Sequence, residues 1–363
     1  MKILAIVSGL DFRNHTRMST LTAIHKLNPE MDVLLYNSVK NYFVKKGKVH
    51  GIRFFSYHFW IFEKLRKYRF LVTMEHLLRG GRWKHFFKEY DYIFLNDPNQ
   101  YYLLSYININ HKLVYLLRDP SILQNPVNYH YELLLIARAN AILAISENLR
   151  TKYLRRYYNY KKENVYLWSN AVDLNMWDHT KYSQVNKSSS PIAGMAGNIN
   201  KRTDLNLLKF LLSERKNIRF EISGKLKLDP IQMELWEELL GYENLYYYGY
   251  IPFDKLPGVV SGWNVGLILE SNDSEYSSYF NHNKIYQYMA MGKPFVSYEY
   301  NKGFLKFKNV AFIAQTQTDY AERLDMALEK SKLPETKFQA LTFAMENSAN
   351  NRAMEFLEIL SEL

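Results

Sequence analysis

The chain has 363 residues, of which 47% are hydrophobic and 23% charged, a composition typical of folded proteins. It contains no cysteine, which excludes disulfide bonds and thiolate metal sites, and no stretch approaches the roughly 20 apolar residues that a membrane-spanning helix needs. The formal net charge of +11 is unevenly distributed. Residues 1–165 contain 26 Lys and Arg against 12 Asp and Glu, while the remainder is slightly acidic. This distribution indicates an anionic partner for the first half only.

The first half alternates short apolar runs with helix-like segments. This alternation predicts a doubly wound parallel sheet. The predicted strands are Ile3–Val7, Val33–Tyr36, Ile52–Phe55, Tyr92–Leu95, Leu113–Leu117, Ala141–Ile145 and Val165–Trp168. The predicted helices are Met18–Leu27, Phe70–Glu89, Tyr129–Ala139 and Glu147–Tyr158.

The second half repeats the alternation after a polar segment without periodicity. Its predicted strands are Ile192–Ala196, Ile218–Ile222, Leu245–Tyr248, Val265–Leu269, Phe295–Ser297 and Ala311–Ile313. Its predicted helices are Asp204–Ser213, Pro230–Leu240, Lys284–Met291, Tyr320–Lys330 and a helical tail, Lys337–Leu363. Two such sheets lead us to expect an α/β fold with two Rossmann-like domains that face a cleft at the carboxyl ends of their strands.

These patterns predict four parts of the chain. Residues 1–177 form a first Rossmann-like domain, 178–191 a linker, 192–345 a second Rossmann-like domain, and 346–363 a C-terminal helix that packs back on the first domain.

The sharpest local signal is the segment Asn281–Ser297. A polar loop opens a short helix near Asn283, Gly292 ends the helix as a left-handed cap, and a Gly-Lys-Pro turn leads into a strand. The amino end of such a helix attracts phosphate, and Lys284 adds a full charge there. Gln287 stands one turn further along the same face, where it could bond a ribose hydroxyl, although a capped helix with a solvated lysine fits the spacing equally well.

This segment resembles the stretch Pro-x-Lys-x-x-Glu-Tyr-x-Ala-x-Gly-Lys-Pro-Val-Val of glycosyltransferases with the GT-B fold, and it is similar to the corresponding helix of xanthan-type glucuronosyltransferases. The resemblance implies that Lys284 contacts the donor diphosphate and that Gln287 contacts the ribose or the nucleotide sugar. Two positions depart from the pattern. Asn283 stands near a proline-led loop of many relatives, and Gln287 replaces the usual glutamate.

Further segments resemble the same family in the expected order. They are Ala141–Leu149, Val165–Asp173, Ala193–Asn198, Phe220–Lys225 and Tyr248–Pro252. These segments, and the positions of some residues in loops that follow predicted strands, lead us to expect further contacts with the nucleotide sugar besides those of Asn283, Lys284 and Gln287. The expected contacts are Gly9, Lys201, Arg202, Gly224, Lys225, Tyr250 and Glu270. The alternative for each cation is a solvated surface, and for Gly224 it is a turn.

The first half offers a candidate catalytic base. Asp119 directly follows the buried strand Leu113–Leu117, where similar enzymes carry an acid that takes a proton from the acceptor hydroxyl. Its alternatives are a helix cap or an ion pair with Arg118, and Asp97 after the preceding strand is the competing base. We expect Arg118 to contact the acceptor, together with Arg13 and His15 in the loop after the first strand.

The resulting hypothesis is a glycosyltransferase that moves a sugar from a nucleotide-sugar donor, with a UDP-type donor favoured, to a glycan or polyprenyl-linked acceptor in cell-surface polysaccharide synthesis. No Asp-x-Asp pair is present, so we expect neither a metal nor a cofactor. The basic, aromatic stretch Lys40–Lys88 suits an anionic membrane surface, which predicts a cytoplasmic protein peripheral to the inner face of the cell membrane. The alternative for this stretch is a buried aromatic core with a solvated basic rim.

Three other functions remain as alternatives. A nucleic-acid-binding protein would explain the basic half, but no zinc-finger spacing or helix-turn-helix signature supports it, and we expect no nucleic-acid partner. A sugar-nucleotide epimerase or a non-catalytic nucleotide-sugar-binding protein would share the fold.

Overall fold

The structure of the chain is a computed structural model that describes residues 1–8, 18–37, 46–61, 65, 68–182, 190–271, 275–300 and 302–363. These residues form two compact units, residues 1–169 with 350–363 and residues 170–349. The segment 178–191, predicted as a linker, falls within the second unit, and its residues 183–189 lie outside the described residues.

The first unit is built on an eight-stranded sheet. Its strands are β1 (Ile3–Ser8), β2 (Met31–Asn37), β3 (Lys46–Val49), β4 (Ile52–His58), β5 (Tyr92–Leu95), β6 (Lys112–Leu117), β7 (Ala141–Ala144) and β8 (Val165–Leu167). The strand order is β3-β4-β2-β1-β5-β6-β7-β8, and every pairing is parallel except that of β3 with β4. The parallel sheet predicted from the alternation is therefore confirmed.

The antiparallel strand β3 was not predicted. It forms a hairpin with β4 through His50 and Gly51, whose φ angles of 51° and 85° are the left-handed values that tight hairpins require. Its sequence, Lys-Gly-Lys-Val, carries too few apolar or β-branched residues to show a strand pattern.

Helices of the first unit are α1 (Met18–Leu27), α2 (Arg69–Leu78), α3 (Gly80–Phe87), α4 (Ser121–Gln124), α5 (Asn128–Arg138) and α6 (Leu154–Tyr158), with a π-helical turn at Leu149–Tyr153 and a 3₁₀ helix at Pro98–Ser105. The prediction of one continuous helix over Phe70–Glu89 is wrong. The chain turns at Arg79 because Gly80 and Gly81 follow it, and each glycine disfavours a continued helix by about 1 kcal/mol.

The second unit contains a six-stranded parallel sheet of order β13-β11-β9-β14-β15-β16 and a two-stranded one, β10-β12. Its strands are β9 (Ile192–Ala196), β10 (Ile199–Asn200), β11 (Arg219–Ser223), β12 (Leu226–Lys227), β13 (Leu245–Tyr247), β14 (Val265–Ile268), β15 (Phe295–Tyr298) and β16 (Ala311–Ala314). Its helices are α7 (Leu205–Glu214), α8 (Pro230–Leu239), α9 (Leu256–Ser261), α10 (Asn283–Ala290), α11 (Gln317–Ser331) and α12 (Pro334–Glu346).

The last helix, α13 (Ala349–Ser361), returns to the first unit. Its Phe356 ring packs 5.0 Å from the ring of Phe94 and 5.7 Å from that of Trp168. The Trp168 indole donates a hydrogen bond to the backbone oxygen of Arg352 at 2.9 Å. Within the described residues, none of the helices combines the length and the hydropathy that crossing a bilayer requires.

Candidate nucleotide-sugar site

The chain changes direction in the second sheet between β9 and β14. From β9 it continues to β11 and β13 on one side, and from β14 to β15 and β16 on the other. The loops that leave these two neighbouring carboxyl ends diverge, which creates the crevice where open α/β sheets bind ligands. Gly197 follows β9 and Glu270 follows β14 at this point.

Tyr288 fixes α10 beside the crevice. Its ring lies so close to β14 that a Cβ on Gly266 would stand 2.1 Å from Cδ2 of the tyrosine. Its hydroxyl accepts a hydrogen bond from the amide of Ala196 at 3.2 Å and donates one to the oxygen of Leu267 at 3.4 Å, so it joins both strands. Because Lys284 lies one turn before Tyr288 on the same helix face, it is directed to the end of β9.

Lys284 lies over the backbone of Gly197. A Cβ on Gly197 would stand 2.7 Å from Cε and 3.1 Å from Nζ of the lysine, and the glycine has a φ of 140° that side chains disfavour. Burial lowers the pKa of Lys284, the carboxylate of Glu270 opposes this shift, and the cation of Arg202 adds to it. A half-buried ammonium group next to a half-buried glycine backbone is suited to an anion.

Gly224 brings the end of β11 against the end of β9. A Cβ on Gly224 would stand 1.8 Å from the backbone oxygen of Gly197, so only glycine fits. Its amide donates to the oxygen of Gly249 at 2.9 Å. The next residue, Lys225, places its Nζ 4.2 Å from the ring centroid of Tyr250, and both side chains are exposed beside the strand ends. The structure thus explains Gly224 by packing, while its predicted ligand contact remains a prediction.

Glu270 and His282 face each other on the β14 side of the crevice. His282 Nδ1 lies 3.6 Å from Glu270 Oε1, and the two side chains are 7% and 13% exposed. Burial lowers the pKa of His282 to about 4, although the nearby Glu270 opposes the shift. Sequence analysis had selected Glu270 but missed His282, since a single histidine before a helix carries no signal of its own.

The loop cations differ in their surroundings. The guanidinium of Arg202 lies 5.0 Å from the ring centroid of Phe280 and 5.6 Å from that of Tyr276, and its backbone oxygen accepts a hydrogen bond from Ser271 at 2.9 Å. Lys201 is exposed. Arg202 is therefore held on the β14 side near Lys284, whose pKa it lowers.

The ends of α10 match the expected local structure. The helix begins at Asn283 with His282 as its N-cap residue, and no side chain caps it. Gly292 has a φ of 69°, which confirms the left-handed cap. Gln287 is buried one turn after Lys284 on the same helix face, and its contact with ribose remains a prediction.

In the first unit the two candidate bases follow neighbouring strands. Asp119 comes after β6, and its Oδ2 accepts a hydrogen bond from Arg118 Nε at 2.7 Å. Asp97 comes after β5, and its Oδ1 accepts hydrogen bonds from the amide and side-chain nitrogen of Asn99 at 2.9 and 3.0 Å. Burial raises the pKa of Asp97, and the negative charge of Asp119 raises it further.

A buried carboxylate that sequence analysis did not select supports the segment after Asp119. Glu132, in α5, accepts hydrogen bonds of 2.7 Å from the hydroxyls of Tyr115, Ser121, Tyr153 and Tyr158. Burial raises the pKa of Glu132, and the four hydroxyls oppose the shift. Because Ser121 begins α4 two residues after Asp119, this cluster anchors the segment that carries the candidate base.

Three predicted site residues, Gly9, Arg13 and His15, lie outside the described residues. Among the residues that are described, no group of three or more His, Asp or Glu side chains is arranged to hold a metal ion. Independence from metal stays a prediction.

The chain resembles solved structures over its whole length. It matches Anabaena HepE, crystallised in complex with UDP and glucose, at 18% identity with a TM-score of 0.73 and full coverage of both chains. It matches the lipopolysaccharide outer core galactosyltransferase WaaB at 13% identity with a TM-score of 0.72, again over both full chains. It also matches the UDP-GlcNAc 2-epimerase of Neisseria meningitidis, bound to UDP-GlcNAc, at 12% identity with a TM-score of 0.64 and full coverage.

These similarities show that the chain has the GT-B fold, with its two Rossmann-like units. No protein-family model and no curated protein matches its sequence. Since one fold carries both transferases and an epimerase, the function has to be argued from the site.

Proposed function

We propose that this protein is a glycosyltransferase that moves a sugar from a UDP-type donor to a glycan or polyprenyl-linked acceptor in cell-surface polysaccharide synthesis. The observation that carries the proposal is the position of Lys284 over Gly197 at the carboxyl ends of β9 and β14. A diphosphate bound there would meet an ammonium group and the amino end of α10 together.

These groups would stabilise the leaving group. As the bond between sugar and phosphate breaks, negative charge develops on the departing UDP. The fixed charge of Lys284, with Arg202 nearby, would neutralise this charge without a metal ion. Lys225 and Tyr250 border the same edge and are suited to the nucleoside, since an exposed ring can stack on a base.

The acceptor hydroxyl would lose its proton to Asp119. The ion pair with Arg118 orients the carboxylate, and the Glu132 cluster anchors the segment behind it. Asp97 is the competing base, and its raised pKa makes it a stronger proton acceptor than an ordinary aspartate once it is ionised. Asp119 is preferred because its carboxylate does not cap a helix, whereas that of Asp97 accepts from the amide of Asn99.

The neighbours support this proposal over its alternatives. HepE was crystallised with UDP and glucose, and WaaB is a galactosyltransferase. The epimerase among the neighbours keeps a second enzymatic function open. A nucleic-acid-binding protein is disfavoured because Lys284 over a glycine backbone suits a single diphosphate, whereas a nucleic acid requires cations along its extended backbone. A non-catalytic nucleotide-sugar-binding protein would use the same crevice and would differ in showing no turnover.

The decisive experiment screens UDP, GDP and dTDP, with their sugars, for an increase in melting temperature. A bound ligand at one hundred times its Kd adds about 2.7 kcal/mol to the free energy of unfolding. We expect UDP and at least one UDP-sugar to raise the melting temperature and UDP to be released when a lipid-linked or glycan acceptor is added. Stabilisation by no nucleotide contradicts the proposal, and conversion of the sugar without an acceptor supports the epimerase.

A separate observation supports a membrane partner. The exposed face of α2 carries Phe70, Met74, Leu77 and Leu78, whose spacing places them in one stripe along the helix. Phe70, Leu77 and Leu78 are 65%, 70% and 71% exposed. Exposed cationic side chains follow in α3, namely Arg82, Lys84 and, just beyond it, Lys88. An apolar stripe flanked by cations is the arrangement of helices that lie in an anionic membrane interface, so we place the protein at the inner face of the cell membrane.

Co-sedimentation with vesicles tests this partner. We expect binding to vesicles that contain an anionic phospholipid and little binding to purely zwitterionic ones. The double variant Leu77→Asp/Leu78→Asp should lower the partition coefficient at least ten-fold, since each buried leucine contributes about 1.5–3 kcal/mol. Ile231→Asp, which changes an exposed residue of α8, is the matched control. Equal binding by the double variant contradicts the membrane role, and a salt-sensitive gel shift with DNA or RNA would favour nucleic acid.

A further inference from the structure

The pair formed by Glu270 and His282 has polar atoms that the protein itself does not use. Among the described residues, nothing forms a hydrogen bond with Glu270 Oε2 or His282 Nε2, and both atoms are buried. A buried polar atom without a partner costs about 1–3 kcal/mol. Two such atoms on facing side chains at a ligand-binding edge indicate that a ligand supplies the partners.

The surroundings determine what each atom can do. The rings of Phe280 and Tyr300 lie 5.3 Å from the His282 ring and that of Phe304 lies 6.1 Å away, so the imidazole is enclosed and stays neutral near pH 7. The tautomer with its proton on Nδ1, toward Glu270, is electrostatically favoured and leaves Nε2 as an acceptor. Glu270 Oε2 is an acceptor as well, so the ligand must present two donors.

The backbone fixes this pair in place. Residue 270 forms an isolated β-bridge with Thr203, and its amide donates to the hydroxyl of Tyr300 at 3.2 Å. His282 stands two residues before Lys284, at the start of α10. The pair therefore lies on the β14 side of the same crevice in which Lys284 would hold the diphosphate.

We infer that Glu270 and His282 bind two hydroxyl groups of the transferred sugar and thereby select a neutral hexose. The inference rests on the proposed function, because it takes the sugar to extend from a diphosphate at Lys284. A hexose offers neighbouring hydroxyls as donors, which match two acceptors. A uronic acid would bring its carboxylate toward that of Glu270, and this repulsion disfavours it.

Calorimetric titration of the full chain with UDP, UDP-glucose, UDP-galactose and UDP-glucuronic acid tests the pair. The variants are Glu270→Gln, which keeps the shape of the side chain, and His282→Phe, which keeps the aromatic packing. We expect both variants to bind the preferred neutral UDP-hexose at least ten-fold more weakly, while the Kd for UDP changes less than three-fold. Glu234→Gln, on an exposed position of α8, serves as the control and should change neither value.

The outcomes separate the two proposals. Failure of the unmodified chain to bind UDP and every UDP-sugar overturns the proposed function and this inference with it. Binding of UDP-hexose that both variants retain overturns the inference alone, as does an equal loss of affinity for UDP. Tighter binding of UDP-glucuronic acid than of either neutral UDP-hexose also overturns the inference. A smaller difference in affinity between the neutral UDP-hexose and UDP-glucuronic acid in Glu270→Gln than in the unmodified chain supports it.

Discussion

The ammonium end of Lys284 and the backbone of Gly197 occupy adjoining space, although they lie 87 positions apart in the chain: a Cβ on the glycine would stand 2.7 Å from Cε of the lysine. The contact depends on the absence of a side chain at residue 197 and on Tyr288, which fixes the helix that carries the lysine. This contact defines the proposed diphosphate site.

Gly197→Ala should therefore weaken nucleotide binding. The methyl group would displace Lys284 and would strain a backbone with a φ of 140°. We expect the Kd for UDP to rise at least ten-fold in calorimetric titration. Gly81→Ala is the control, because no atom lies within 4 Å of the added Cβ and the helix α3 should accept alanine. Unchanged UDP affinity in Gly197→Ala would argue against this location of the diphosphate.

Lys284→Met should abolish the rise in melting temperature caused by UDP, while Lys216→Met, at an exposed position after α7, should leave it unchanged. The same variant has a pH signature without ligand. The pKa of Lys284 is lower in the folded chain than in the unfolded chain, where it is near 10.5. Between these two pKa values the unfolded chain binds more protons than the folded chain. The contribution of Lys284 to the free energy of unfolding therefore increases as the pH rises toward 10.5. We expect Lys284→Met to be more stable than the unmodified protein near pH 7 and to lose that advantage at higher pH in denaturant titrations.

Asp119→Asn should leave UDP-sugar binding intact and lower the rate of sugar transfer at least a hundred-fold, within the roughly 10²–10⁴ that acid–base catalysis contributes. Asp97→Asn is the comparison, since asparagine can still cap the 3₁₀ helix that begins at Pro98. Near-normal transfer by Asp119→Asn together with a large loss in Asp97→Asn would move the base to Asp97. In that case the activity should be lost as the pH decreases. Because the pKa of Asp97 is raised, this loss should occur at a higher pH than it would with a base of ordinary aspartate pKa.

Glu132→Ala should destabilise the protein by roughly 3 kcal/mol or more, because it leaves three buried hydroxyls and a partly buried one without their acceptor. Glu132→Gln keeps one oxygen and should cost less. Glu147→Ala removes an exposed ion pair with Arg150 and should change the free energy of unfolding by under about 1 kcal/mol. Urea denaturation measures all three, and equal stability of Glu132→Ala and Glu147→Ala would mean that the hydroxyls find other partners.

Local chemistry made part of this structure predictable. The six strands of the larger sheet in the second half were predicted because each is a short apolar run between polar turns, as at Ile192–Ala196, whereas the two-residue strands β10 and β12 are too short to show a pattern. The end of α10 was predicted because glycine before Lys-Pro is a local signal, and Gly292 has the expected φ. Lys284 was selected by the same local pattern together with a family resemblance.

Long-range relationships were not predictable from one sequence. The hydroxyls around Glu132 come from residues 115, 121, 153 and 158, which no periodicity connects. His282 gains its significance only from Glu270, which lies at the end of a different element. The break at Gly80 was missed because the apolar pattern continues across it, and there the backbone preference of two glycines decides.

The placement of α13 has a consequence for biosynthesis. Phe94 and Trp168 are synthesised before the second unit, yet the ring that packs on both of them, Phe356, is synthesised only after it. The first unit can begin to fold on the ribosome but cannot finish until the whole second unit and α13 have been synthesised. Until then it would expose an apolar surface that chaperones recognise, and a nascent chain stalled before residue 350 should be handed to them.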